Sequence, residues 1–213
     1  MTAAPAEPAR DCPFCPRLVA FRELHRAREP AWHNAPVPSF GAAGARLLIV
    51  GLAPGLRGAN RTGRPFTGDW AGDLLYPTLI RHGLAVGQFL ARPDDGLALA
   101  GCRITNAVRC VPPENKPTPA EVKTCLPFLA GEIAALPTGG GILALGRIAH
   151  DAVLTTLKIR KADFPFAHGA MHELPGGRWM AESYHCSRYN TNTGRLTPEM
   201  FDAVVGAVVA RIG

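Results

Sequence analysis

The segment Arg46-Leu47-Leu48-Ile49-Val50-Gly51-Leu52 is an unbroken apolar run that stops at a Gly/Pro-rich turn. A run without alternation describes a strand covered on both faces, as in a parallel sheet packed between helices. Similar runs recur at Arg103-Ile104-Thr105-Asn106-Ala107-Val108 and Gly141-Ile142-Leu143-Ala144-Leu145-Gly146. Helix-forming stretches lie over 71–82, 119–136 and 147–157, with one more at 15–28 closed by Pro30. Strands that alternate with helices build βαβ units. The expected fold is therefore α/β: a three-layer α/β/α sandwich with a short, mainly parallel central sheet. Gly176-Gly177 marks a hairpin turn before a last strand over 178–184. Thr197 and Pro198 supply the cap and first turn of a C-terminal helix reaching Ile212.

A chain of 213 residues is read as one domain, 1–213, with residues 1–10 as a flexible lead. That lead has no basic start followed by an apolar core, so a cytoplasmic location is expected. With 47% hydrophobic and 19% charged residues the chain is not of the disordered class. No apolar run reaches the roughly 18 residues of a membrane span. The formal net charge of +6 permits an anionic partner without identifying one.

In open α/β sheets ligands bind beyond the carboxyl ends of the strands, so the loops after Leu52, Val108, Leu145 and Tyr184 should share one rim. The first, Gly51 to Asp69, holds five glycines and three arginines. Glycines let a backbone approach a ligand closely, and arginines favour phosphate or another anion. No Gly-Lys-Ser/Thr closes the loop and its glycines lack the dinucleotide spacing, so no nucleotide cofactor is indicated. Phe66 is suited either to stack on a planar base or to tuck into the core. Asp69 is either the N-cap of the following helix or a working carboxylate, with Asp73 as its rival one turn on. Asn106 can offer a donor and an acceptor to a base edge, or satisfy nearby backbone. The last loop, Ser183 to Arg195, is polar almost throughout and suits a phosphodiester backbone, and His185 at its start can meet a developing charge or play a structural part.

Cys12-Pro13-Phe14-Cys15 is a C-x₂-C pair, and Cys110 and Cys125 flank a proline-rich stretch. Four thiolates so spaced suit an iron-sulfur cluster or a structural zinc. Buried cysteines that act only as small hydrophobes are the plainer reading.

Taken in order, Gly51-Leu52-Ala53-Pro54-Gly55, Asn60-Arg61-Thr62-Gly63-Arg64-Pro65-Phe66-Thr67-Gly68-Asp69, Ile104-Thr105-Asn106-Ala107-Val108-Arg109-Cys110-Val111-Pro112-Pro113 and the segment from His185 to Thr197 resemble the uracil-DNA glycosylase superfamily. Within it they are similar to the type-five, iron-sulfur branch. The resemblance implies a structural four-iron four-sulfur cluster on Cys12, Cys15, Cys110 and Cys125. It implies a base pocket in which Ala53 and Phe66 contact an extruded base, Asn106 reads its edge and His185 bonds a carbonyl oxygen. Asp69 falls where this branch keeps its proposed catalytic carboxylate. Asn60, Arg61, Arg188 and Asn190 would face DNA, and Arg57, Arg64 and Arg109 would add to its salt-dependent affinity. The implied activity is removal of uracil from double-stranded DNA by a monofunctional glycosylase, with hypoxanthine and other deaminated bases as further substrates; for a chain of this size a monomer is the simplest expectation.

Four departures from the family pattern bear on this. Leu52 is apolar where related branches carry an acidic or amide side chain, which shifts the catalytic role to Asp69 or to electrostatics alone. Cys186 replaces a usual proline and brings an oxidisable thiol, Tyr189 replaces a smaller residue, and Gly55 stands where alanine is often found. A catalytically silent lesion-binding module is the alternative, and a small redox iron-sulfur protein ranks behind both.

Overall fold

The computed structural model describes residues 5–213. In chain order the elements are α1 (Pro16–Arg28), β1 (Leu47–Gly51), α2 (Ala59–Thr62), α3 (Trp70–Arg81), β2 (Ala85–Val86), β3 (Ala98–Leu99), β4 (Cys102–Asn106), α4 (Pro119–Ala134), β5 (Gly141–Leu145), α5 (Arg147–Thr156), β6 (Met171–Leu174), β7 (Arg178–Ser183), α6 (Arg188–Asn192) and α7 (Pro198–Ile212). The main sheet has the order β4-β1-β5-β7-β6. Its first four strands run parallel, and β6 joins β7 antiparallel through the Gly176-Gly177 turn.

Every residue of β1 and of β5 is buried, as their unbroken apolar sequences require. Successive side chains of a strand point to opposite faces. Accordingly Leu47 and Ile49 pack with Leu75, Leu79, Phe201 and Val205 of α3 and α7, while Leu48 and Val50 pack with Leu129, Ile133, Ala152 and Val153 of α4 and α5. These two cores make the three layers expected from the sequence. The helix ends follow their capping chemistry. Thr197 Oγ1 accepts from the Met200 amide, and Thr118 forms a reciprocal capping box with Glu121 that opens α4.

Three short pieces were not legible beforehand. The β2/β3 pair is only two residues per strand, too short for any periodicity to register. Likewise α2 and α6 are single turns inside segments read as irregular loops.

The N-terminal lead needs correction. Residues 1–4 of it lie outside the described residues. Glu7 is pinned: it pairs with Arg109 and Arg103, the latter at 3.2 Å, and accepts from the Ser39 amide at 3.1 Å. A carboxylate held by two arginines ties this stretch to the domain instead of leaving it free.

Candidate active site

The sheet's carboxyl end brings the motifs together. Gly51 at the end of β1 pairs in register with Asn106 at the end of β4. A β-carbon at Gly51 would meet Phe66 Cζ at 2.6 Å, so glycine is what allows the Phe66 ring to lie over the strand end. Ala53, Phe66, Asp69, Asn106 and His185 line one cavity of about 30 Å³. It adjoins a groove of about 640 Å³ that adds Leu52, Arg57, Trp70 and Arg188.

Asn106 is buried, and among the described residues its Oδ1 has no hydrogen-bond partner. A buried polar atom without a partner costs about 1–3 kcal/mol, so this one is not there to satisfy neighbouring backbone. Phe66 is buried too, with φ +50, a left-handed conformation that side chains rarely adopt. The loop around it is held firmly. Arg64 makes a two-pronged pair with Asp95 at 2.8 and 2.7 Å, donates to Thr67 Oγ1 at 2.8 Å, and lies over the rings of Phe40, Tyr76 and Phe89. Tyr76 donates its hydroxyl to the Pro65 carbonyl at 2.6 Å. Surroundings that over-determine a strained residue are typical of ligand-contacting positions.

Asp69 fulfils both of its sequence readings. Its Oδ1 caps α3 by accepting from the Ala71 amide at 3.2 Å, while Oδ2 faces the glycines of the first loop, 2.7 Å from where a β-carbon at Gly55 would stand. Burial pushes its carboxyl above the ordinary range, opposed by the backbone N–H groups of Ala71 and Gly72. Asp73 is exposed and does not line the cavity, so of the two carboxylates Asp69 is the one that faces it.

His185 stands with its ring 5.9 Å from Phe66 and inclined by 30°. Burial lowers its imidazole to about 4, so it is neutral at physiological pH and can donate a hydrogen bond without carrying charge. Its backbone is held by Asn190, whose Nδ2 donates to the His185 carbonyl at 2.8 Å. A β-carbon at Gly146 would stand 3.2 Å from His185 Cβ, and φ +94 there also calls for glycine. Behind it the third motif folds as α6, capped by Ser187 and tied to Trp70, whose Nε1 donates to Thr191 Oγ1 at 2.9 Å.

Several expected DNA contacts are corrected. Asn60 is buried and donates to Asn34 Oδ1 at 2.9 Å, so it braces the first loop from inside. Arg64 is enclosed by its ring and carboxylate partners, and Arg109 is buried with hydrogen bonds to the Val37 carbonyl, Thr105 and Glu7. Neither guanidinium is available to a phosphate. Asn190 stays partly exposed, and its Nδ2 also donates to the His185 carbonyl, a positioning part that a polar-loop reading misses. Arg57, Arg61 and Arg188 are exposed, and Arg188 lies 5.6 Å over the Trp70 ring. Cys186 is wholly buried and its thiol is pushed up by that burial, which corrects the expectation of an oxidisable group.

On the far side of Val108, Cys12, Cys15, Cys110 and Cys125 line a second, small cavity with Arg22. All four are free thiols. Burial raises Cys15 to about 11 and Cys110 to about 12, so neither ionises readily unaided. Among the described residues, no three His, Cys, Asp or Glu side chains stand close enough to hold a single metal ion. Arg22 is buried beside them; its Nη1 donates to the Cys12 carbonyl at 3.2 Å, and its Nε, without a hydrogen bond among the described residues, lies 3.5 Å from Glu23 Oε1. A buried guanidinium facing four thiols is the donor set and countercharge that an anionic, thiolate-held group needs.

A mainly parallel α/β sheet whose strand-end loops bring an aromatic ring, an unpaired amide, a neutral imidazole and a half-buried carboxylate to one cavity defines an enzyme-like site. The sequence matches the uracil DNA glycosylase superfamily over residues 38–208. It is 52% identical over 196 residues to a type-5 uracil-DNA glycosylase of Thermus thermophilus, covering 89% of each chain. Type-5 uracil-DNA glycosylases of Mycobacterium tuberculosis and Pyrobaculum aerophilum are 45% and 40% identical, over 91% and 95% of this chain and 75% and 90% of theirs. The chain belongs to the uracil-DNA glycosylase superfamily. No described helix is long and apolar enough to cross a membrane.

Proposed function

We propose that this chain removes uracil from double-stranded DNA by hydrolysing the bond between the base and the deoxyribose. The observation that carries the reading is the partnerless Asn106 Oδ1 in the cavity shared by Phe66, Asp69 and His185. Uracil presents an N–H beside two carbonyl oxygens. An amide that accepts from that N–H and donates to the neighbouring oxygen distinguishes uracil from cytosine, whose edge has the reverse pattern. The base is out of reach inside a duplex, so it is extruded into the cavity, where it stacks on Phe66 against Ala53.

Bond cleavage leaves the electron pair on the departing base and positive character on the sugar. The neutral His185 imidazole donates to the base carbonyl on which negative charge grows, and the Asp69 carboxylate stabilises the cationic sugar or orients the attacking water. Water adds its hydroxyl to the sugar carbon and releases a proton, the departing base anion takes up a proton from solvent, and free uracil and an abasic site remain. Leu52 in the groove cannot take a share of this chemistry, which leaves the carboxylate role to Asp69. Hypoxanthine and other deaminated bases are included as substrates because they too present a carbonyl beside an N–H. Arg61 and Arg188 contact the DNA backbone, and the protein works as a monomer.

Cys12, Cys15, Cys110 and Cys125 would hold a four-iron four-sulfur cluster, which would supply a covalent brace between the N-terminal segment and α4. It takes no part in the steps above. The test of the function is release of free uracil from a duplex containing one uracil, with an intact abasic strand as the other product. Release from that duplex, absent in Asp69→Asn, supports the proposal; no release by intact wild-type protein overturns it.

A further inference from the structure

A groove of about 590 Å³ is walled by α4 and α5 and shares no residue with the base cavity or the groove beside it. Each wall is one helical stripe. Pro119, Val122 and Leu126 stand at i, i+3 and i+7 on α4, and Ile148, Ala152 and Thr155 at i, i+4 and i+7 on α5. Val122 and Leu126 are half-buried and pack against the core beneath, so they form a fixed floor. Ile148 is different. It is 43% exposed and belongs to neither core, on a helix whose other apolar residues, Ala149, Ala152, Val153 and Leu154, are all buried. A single exposed apolar residue is ordinary, but one that continues an apolar groove marks a surface suited to a partner.

Charge also sets this groove apart. Of the 23 basic residues only four are lysines, Lys116, Lys123, Lys158 and Lys161, and all fall in the stretch that carries α4 and α5. Lys123 and Lys161 line the groove, and no arginine does. Lys116 and Lys161 have carboxylates at 3.3 and 3.6 Å, whereas Lys123 is exposed and, among the described residues, has none within ion-pair distance. Arginine is the residue that grips phosphate with two prongs, so a lysine-edged apolar groove without one is poorly made for a nucleic-acid backbone. A lysine stem lies along apolar surface while its ammonium stays in water, placed to meet a carboxylate at the rim.

We propose that this groove docks an amphipathic helix of a partner protein, with the apolar stripe of that helix on Val122, Leu126 and Ile148 and its flanking carboxylates against Lys123 and Lys161. Two helices side by side offer a trough for a third, and apolar residues at i, i+4 and i+7 match the spacing along its walls. The docking site uses none of the residues of the proposed reaction and stands independently of it.

The test uses the full chain and three labelled helical peptides with leucine at i, i+4 and i+7, flanked by glutamate, by glutamine or by lysine. Fluorescence anisotropy titrations should rank them in that order of falling affinity. Ile148→Asp should weaken the glutamate-flanked peptide about tenfold. An acidic residue in the first turn of a helix is favourable, so this variant should melt with the wild type. Lys123→Glu should weaken the same peptide about threefold and strengthen the lysine-flanked one, an inversion that loss of local structure would not give. Absence of saturable binding of the glutamate-flanked peptide to wild type, or equal affinity in Ile148→Asp, overturns the docking site. Displacement of the peptide by undamaged duplex DNA, with duplex affinity lost in Lys123→Glu, also overturns it and gives the groove to nucleic acid. Peptide binding as expected from a protein that releases no uracil supports the docking site and overturns the proposed function alone.

Discussion

Gly58 and Asp69 are matched in shape: a β-carbon on Gly58 would lie 2.7 Å from Cγ and 2.9 Å from Cβ of Asp69. Rotation of the carboxylate cannot relieve a clash with its own Cβ. The Gly58→Ala variant should therefore displace the carboxylate. A displacement of about 1 Å at a reacting group lowers rate by about 100-fold. Steady-state kinetics beside a thermal melt check this; full activity in a folded Gly58→Ala protein would contradict the placement of Asp69.

Asp69→Asn separates the cap from the chemistry. Asparagine caps a helix as well as aspartate does. The folded-state carboxyl is raised above its ordinary value, so the native state binds the proton more tightly than the unfolded chain. The stability this contributes is present below the ordinary pKa of 3.8 and is lost as pH rises through the raised one. At pH 7 Asp69→Asn should thus melt at or above the wild-type temperature while base release is lost. A large fall in melting temperature would make the cap its main role.

The low pKa of His185 gives a pH prediction of the opposite sense. The unfolded chain takes up a proton near 6.5 while the folded imidazole resists until about 4, so stability falls as pH drops through that window. Over pH 5–8 the donor remains neutral, and the pH profile of kcat/KM should show no inflection near 6.5. An inflection there that vanishes in His185→Gln would contradict a neutral donor.

The buried Arg64–Asp95 pair holds Phe66 from across the loop. Its carboxyl is held well below the usual range by the Arg64 guanidinium, so its stabilisation is present above 3.8 and is lost as pH falls below that value. Removing one partner strands the other charge, so Asp95→Asn should lose about 3 kcal/mol of stability in a denaturant titration. At a temperature where the variant remains folded, KM for uracil-containing duplex should rise as Phe66 loosens. Unaltered stability would show the pair to be dispensable.

Protein purified without air should absorb in the visible region, and Cys110→Ser should lose both that absorbance and thermal stability. Colourless wild-type protein carrying zinc and no iron would contradict the cluster.

Much of the fold was legible because burial on both faces leaves an unbroken apolar signature in β1 and β5, and because Thr118 and Thr197 announce their helices. The site was legible in outline, since strand ends locate loops. The direction of a loop side chain is another matter. Asn60, Arg64 and Arg109 read as groups for DNA, yet each is turned inward by a partner distant in sequence: Asn34, Asp95 or Glu7. Local pattern carries no trace of such partners. The same limit hid the contact of Arg147, at the start of α5, with Phe166 in the segment before β6.

The most direct measurement is release of free base from duplexes carrying a single uracil, by wild type, Asp69→Asn and His185→Ala under identical conditions. Rapid release by wild type that falls sharply in both variants, with all three folded, is the predicted result. Wild-type protein that binds the duplex and releases nothing would contradict the account and leave a lesion-binding module in its place.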